Sequence, residues 1–227
     1  MTRAARFLAV AASAVLGIAG GVVAGLASGD SHPDPLGLGV AMVNQPCQPN
    51  QGLLVLDTSD DGRGLASAIA SFPDAKYLEV AKSCNTVWRD PTLSTRRYAA
   101  YLGPMDVGTA CRQQMTGEHV GDRVTRLTPN NTELELCLCY VSSFDAPTLR
   151  PGATALSSTE IVYLRALQQV LTSLGRRPPD LPRTDDYDST TLEEVLSFQR
   201  YTNRGQRGVV DQRTWEALIN RGCQPKS

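Results

Sequence analysis

Residues 187–218 read YDSTTLEEVLSFQRYTNRGQRGVVDQRTWEAL, and two helix starts inside this stretch decide the fold of the last third of the chain. Asp188 and Asp211 each head the pattern Asp-x-x-Thr-apolar-Glu, an internal repeat. An Asp at the N-cap accepts otherwise unpaired N–H groups of the first turn, and its charge suits the helix dipole. Thr191 and Thr214, three residues on, can return a hydrogen bond to the cap. One helix therefore starts at Asp188, with Leu192, Val195, Leu196 and Gln199 along one side. Another starts after Asp211, turns Trp215, Leu218 and Ile219 inward, and ends at Gly222. Upstream, Ile161, Leu164, Leu167, Leu171 and Leu174 recur every three or four residues, a single apolar stripe. With Ser157 or Ser158 as N-cap and Gly175 as C-terminal cap, they predict a helix over 158–174. Three short helices of this kind form a small bundle.

The other end of the chain is of a different nature. MTRAARFLAVAASAVLGIAGGVVAGLASG carries Arg3 and Arg6 and then an uncharged apolar run from Phe7 to about Ala27. Roughly 20 such residues span a bilayer as a helix. The arginines favour the cytoplasmic side, which places the remainder outside. The expectation is a signal anchor over 1–28 that contacts the lipid bilayer through residues 7–27. The chain is then single-pass in the cytoplasmic membrane with extracytoplasmic C-terminal domains, or secreted if Gly25-Leu26-Ala27 is a cleavage site. The net charge of −1 gives no basic field for nucleic acid.

Export makes the cysteines interpretable. Cys47, Cys84, Cys111, Cys137, Cys139 and Cys223 form an even set, as disulfides in an oxidising compartment require. The one close pair is CxC and not the CxxC of zinc sites, so no metal is expected. On a strand, Cys137 and Cys139 share a face and cannot pair easily with each other. The expected pairs are Cys47 with Cys137 or Cys139, Cys84 with Cys111, and the remaining CxC sulfur with Cys223.

Breaker-rich segments divide the chain into a linker over 29–46, a central domain over 47–143, a second linker over 144–157 and the helical domain over 158–223. The central domain alternates strand and helix signals. GLLVLDTS is a strand, GLASAIASF a helix, AKYLEVAKS and RRYAAYLGPM strands, DVGTACRQQM a helix capped by Asp106, DRVTRLTP a weak strand and TELELCLCYV a strongly alternating one. The order β-α-β-β-α-β predicts a four-stranded antiparallel sheet with two helices on one face, a split βαβ or ferredoxin-like domain. With its YAAYLGPMDVGTAC centre it resembles SPOR-like domains over roughly Gly52 to Val141. That resemblance implies a glycan-binding exposed sheet face, against a plain packing domain with no ligand.

The C-terminal region resembles the peptidoglycan-binding domain 1 family over Thr159 to Leu218. The marks are LQQVLTSLG in the first helix, the T…V..FQ of the second, and GVVDxxTWxxL closing the third. The resemblance implies a three-helix bundle with peptidoglycan as ligand. RRPPDLPRTDDYDST departs from the family's usual glycine-rich loop with Asp-Gly, and Arg207-Gly208 replaces a frequent Asp-Gly. The candidate peptidoglycan contacts are Tyr187, Tyr201, Arg204, Arg207, Gly208, Asp211, Thr214 and Trp215. At helical spacing with Leu218 and Ile219, Trp215 also reads as core; its flat face could equally stack on a sugar. The arginines could hold stem-peptide carboxylates, or be a solvated loop.

Glycosidases work with paired carboxylates. Glu193 and Glu194 are consecutive on a helix and point about 100° apart, so they read as surface charges. GxSxG, HExxH, SxxK and P-loop patterns are absent from the sequence. The expected protein is non-enzymatic, with no catalytic residue and no cofactor. It consists of a transmembrane helix, an α+β central domain and an all-α three-helix domain. Its function is membrane-anchored binding of peptidoglycan; the alternative is an extracytoplasmic regulatory protein that contacts another envelope protein without binding glycan.

Overall fold

The computed structural model describes residues 31–224 other than 33, 85–94, 117–122, 130–134, 154 and 206. Six strands form one sheet: β1 (Ser31–His32), β2 (Met42–Val43), β3 (Gln51–Ser59), β4 (Lys76–Glu79), β5 (Tyr98–Asp106) and β6 (Arg123–Arg126). Their order is β1-β2-β4-β5-β3-β6, antiparallel except where β2 meets β4. Among the described residues five helices accompany them: α1 (Arg63–Ser71), α2 (Val107–Met115), α3 (Ser158–Ser173), α4 (Ser189–Tyr201) and α5 (Gln212–Gly222).

Alternation along the strands builds two apolar faces. Tyr77 and Ala100 point to one face, where Leu65 and Ile69 of α1 cover them. On the same face Leu54 and Val124 meet Val107, Ala110, Cys111 and Met115 of α2. Asp106 caps α2 by accepting the Thr109 N–H at 3.0 Å. The opposite face carries Leu53, Val55, Leu78, Ala99 and Tyr101. It too is buried: Leu53 is 1% exposed and Tyr101 0%. Gln45 donates to the Tyr101 hydroxyl at 2.7 Å, and that hydroxyl donates to the Val43 carbonyl at 2.9 Å.

These observations correct the expected fold class. The sheet has six strands instead of four, because 31–32 and 42–43 extend it beyond β4. Among the described residues its last strand is Arg123–Arg126, and the described part of TELELCLCYV, from Glu135 on, holds a 3₁₀ turn at Cys137–Tyr140 in place of the expected strand. Three anchors in different directions bend that segment. Glu135 binds Arg126, Leu138 is 1% exposed, and the Glu135 carbonyl accepts from Gln169 at 3.0 Å. The sheet face that a SPOR-like domain would offer to glycan is the one buried around Tyr101, so that resemblance gains no support. The expected transmembrane helix over 1–28 lies outside the described residues; among those, no helix is long and apolar enough to cross a membrane. What stands is a mixed α+β sheet followed by a helical C-terminal region.

The sheet and the helices share one core. Cys111, Leu138 and Val124 belong to the same apolar cluster as Leu164, Phe198, Trp215 and Leu218. For this reason α3 is buried on more than its expected stripe: Val162, Tyr163, Ala166 and Val170 are covered as well as Leu164, Leu167 and Leu171. Between the two regions, Leu149 is buried and exchanges backbone hydrogen bonds with Val210.

The disulfides are Cys47–Cys84, Cys111–Cys137 and Cys139–Cys223. The tie from the CxC to Cys223 is as expected. The other two expected pairs, Cys47 with the CxC and Cys84 with Cys111, are corrected. Their derivation placed the CxC at the end of the last strand, beside the start of the first. On a 3₁₀ turn of three residues per turn, side chains two apart diverge. Cys137 thus turns to Cys111 on α2, and Cys139 to the end of α5.

Candidate functional site

The helix caps are in place. Asp188 accepts the Thr191 N–H at 2.7 Å, and Asp211 accepts both the Thr214 N–H and its hydroxyl at 2.9 Å. Ser157 and Glu160 form a reciprocal capping box at the head of α3. Burial pushes the Asp211 carboxyl up, but the two bonds from Thr214, with Arg213 nearby, outweigh it and hold it below the usual range.

Two buried glutamines organise the loops around these caps. Gln199, 1% exposed, accepts the N–H groups of Arg207 and Gly208 at 3.2 and 3.0 Å. Its amide donates to the Val209 carbonyl at 2.9 Å and to Thr214 Oγ1 at 3.3 Å. Gln168, fully buried, acts in the same way on the preceding helix. It accepts from the Thr184 N–H at 2.9 Å and donates to Thr191 Oγ1 at 3.2 Å. The Asp-x-x-Thr repeat is thus also a repeat of glutamine-held loops, with each Thr as the shared acceptor.

Four of the eight candidate contacts lie inside this framework. Trp215 is fully buried; its indole N–H donates to the Pro147 carbonyl at 2.8 Å, and its ring meets Tyr163 edge-on at 5.8 Å. Tyr187 is buried and donates to the Gly208 carbonyl at 2.5 Å, and burial pushes its hydroxyl pKa well up. Thr214 is buried between Asp211 and Gln199. Gly208 sits at φ 65°, where a Cβ would stand 2.1 Å from Leu192 Cδ1. Tyr201, Arg204, Arg207 and Asp211 are exposed.

Glu194, read from sequence as a surface charge, is buried. Arg177 holds both its oxygens, at 3.0 and 2.9 Å, and also donates to the Pro182 carbonyl at 2.6 Å. Burial pushes the Glu194 carboxyl up, and Arg177 pulls it only some of the way back. Together with the bidentate pair of Arg165 and Asp185, this contact shapes the proline-rich loop between α3 and α4.

Tyr201 opens onto a feature that no local sequence pattern marks. The C-terminal ends of α3, α4 and α5 converge around a pocket of about 550 Å³ lined by Leu174, Arg176, Phe198, Tyr201, Asn220, Arg221 and Gln224. Tyr201 is 57% exposed. The Arg176 guanidinium lies 4.3 Å from its ring centroid and the Arg221 guanidinium 4.7 Å. Arg221 also donates to the Tyr201 hydroxyl at 3.2 Å. The only available signal was a cation placed near each of two helix ends, and helix dipoles favour that with or without a ligand.

The class defined by this geometry is a small, capped three-helix module joined by a shared core and a disulfide to an α+β sheet. Residues 163–218, from within α3 to within α5, match the family model described as "Putative peptidoglycan binding domain". This match supports the resemblance read from sequence in the C-terminal region. No curated protein and no solved structure matches the chain.

Proposed function

We propose that the chain is a non-enzymatic protein of the cell envelope that holds peptidoglycan through its C-terminal helices. The family match over residues 163–218 carries this reading. The six cysteines, all paired, suit an oxidising extracytoplasmic compartment. Attachment at the cytoplasmic membrane through residues 7–27 rests on their sequence alone. The exposed contacts are Tyr201, Arg204 and Arg207, while the buried Trp215 supports the module from inside. Binding by one small module is weak, and the repetition of sites along the polymer raises its effective strength. The test is cosedimentation of the purified chain with cell-wall sacculi. Pelleting at micromolar protein is expected. A chain that stays in solution favours docking on another envelope protein, and clearing of the suspension would make it a hydrolase.

A further inference from the structure

The peptidoglycan reading leaves open which portion of the polymer is held. Arg176 and Arg221 approach one ring, so the two cations stand within roughly a Debye length, ~10 Å at 0.1 M salt. Two arginines of the helical region have acidic partners, Arg165 with Asp185 and Arg177 with Glu194. Among the described residues neither Arg176 nor Arg221 forms a salt bridge. Two like charges side by side raise the local potential, and a bound anion would relieve it. Guanidinium groups match carboxylates through two parallel N–H bonds. Leu174, partly buried against the core, adds apolar surface beside them, and Asn220 and Gln224 add polar groups at the rim. A bare glycan strand offers hydroxyls and acetamides but little negative charge. A stem peptide offers carboxylates on short aliphatic carbons, which suits both the cations and the apolar wall.

We propose that the pocket between Arg176, Tyr201 and Arg221 binds a carboxylate of the peptidoglycan stem peptide, so that the module reads peptide and not sugar. This rests on the peptidoglycan reading above. Arg176 and Arg221 grip the carboxylate, and Tyr201, against whose ring both guanidinium groups rest, holds them in position.

The test uses the full chain in a mild nonionic detergent against two polymers: intact sacculi, and glycan strands stripped of stem peptides by an amidase. Unaltered chain is expected to bind intact sacculi at least about tenfold more tightly than stripped strands. Arg176→Gln with Arg221→Gln should lose that same factor on intact sacculi and change nothing on stripped strands. Arg200→Gln with Arg213→Gln removes equal charge from exposed positions outside the pocket and should bind as the unaltered chain does. Arg176→Lys with Arg221→Lys keeps the charge but loses the fork, and should fall between. Equal binding of both polymers, or undiminished binding by the Gln pair, overturns the peptide site while leaving peptidoglycan binding intact. Equal losses from the pocket and control pairs also overturn it, as attraction by bulk charge. Failure of the unaltered chain on both polymers overturns the peptidoglycan reading itself.

Discussion

Replacing Cys139 and Cys223 together by Ser tests how the helical region is held to the sheet. The bridge spans 84 residues of sequence, and neither of the other disulfides falls within that loop. In the chain-entropy description, opening a loop of that length frees the unfolded state by about 4.5 kcal/mol, an upper figure because native strain and residual structure subtract from it. For a protein of this size each kcal/mol moves the melting temperature by roughly 2–4 °C, so a fall of about 10 °C is expected. The shared cluster of Cys111, Leu138, Leu164 and Trp215 does not depend on that bond. Calorimetry should therefore still show one transition, shifted down. Peptide mapping under non-reducing conditions should find Cys111 with Cys137 in both proteins. A melting temperature unchanged within the equivalent of about 1 kcal/mol, or Cys139 recovered in another pair, would refute the tie. Two separate transitions in the variant would refute the single core.

Gly208→Ala places a Cβ against Leu192 at φ 65°, and the left-handed conformation alone costs about 1–2 kcal/mol for a residue with a Cβ. A loss of at least about 2 kcal/mol in denaturant unfolding is expected, with no loss refuting the close approach. Asp211→Asn tests the cap through pH. The Asp211 carboxyl is depressed in the fold, so its stabilisation is present above the unfolded value of 3.8 and fades as pH falls through the lower folded one. The advantage over Asp211→Asn should shrink on acidification below that value. Glu194→Gln should show the opposite slope. The buried carboxyl is raised, so the unaltered chain loses ground to the variant as pH rises from 4.5 through the higher folded value. A difference that stays flat with pH would place Glu194 in solvent.

What was legible in the sequence was local. Asp106, Asp188 and Asp211 cap their helices through bonds that span three residues, and such bonds are written in the order of the chain. Other features depended on partners far away. Glu194 looks like any surface carboxylate until Arg177, from the start of the preceding loop, folds over it. Gln199 sits on the inner side of its helix, but the loop N–H groups it holds become visible only in three dimensions. TELELCLCYV alternates like a strand, but its described part, from Glu135 on, holds instead a short turn whose two sulfurs leave in different directions. The two wrong disulfides follow from that one misplacement. The pocket was invisible for the same reason: Arg176, Tyr201 and Arg221 follow three different helices or end them.

The two ends of the bundle are chemically unlike, and this bears on where a wall polymer docks. At the N-terminal ends of α4 and α5, where backbone N–H groups could attract an anion, Asp188 and Asp211 already occupy them. A carboxylate arriving there meets a carboxylate. At the C-terminal ends the backbone is unfavourable to anions, and Arg176 and Arg221 more than reverse this with full charges. The pocket is also fixed in place. Gly222 lets the end of α5 approach α3 so closely that a Cβ there would lie 2.3 Å from Val170 Cγ2. The next residue, Cys223, is bonded to Cys139. The wall that carries Asn220, Arg221 and Gln224 is therefore held from both sides, and a held wall binds without first having to be ordered. The disulfide that joins the helices to the sheet thus also sets the geometry of the pocket. Its loss should weaken binding to intact sacculi even at temperatures where the chain remains folded.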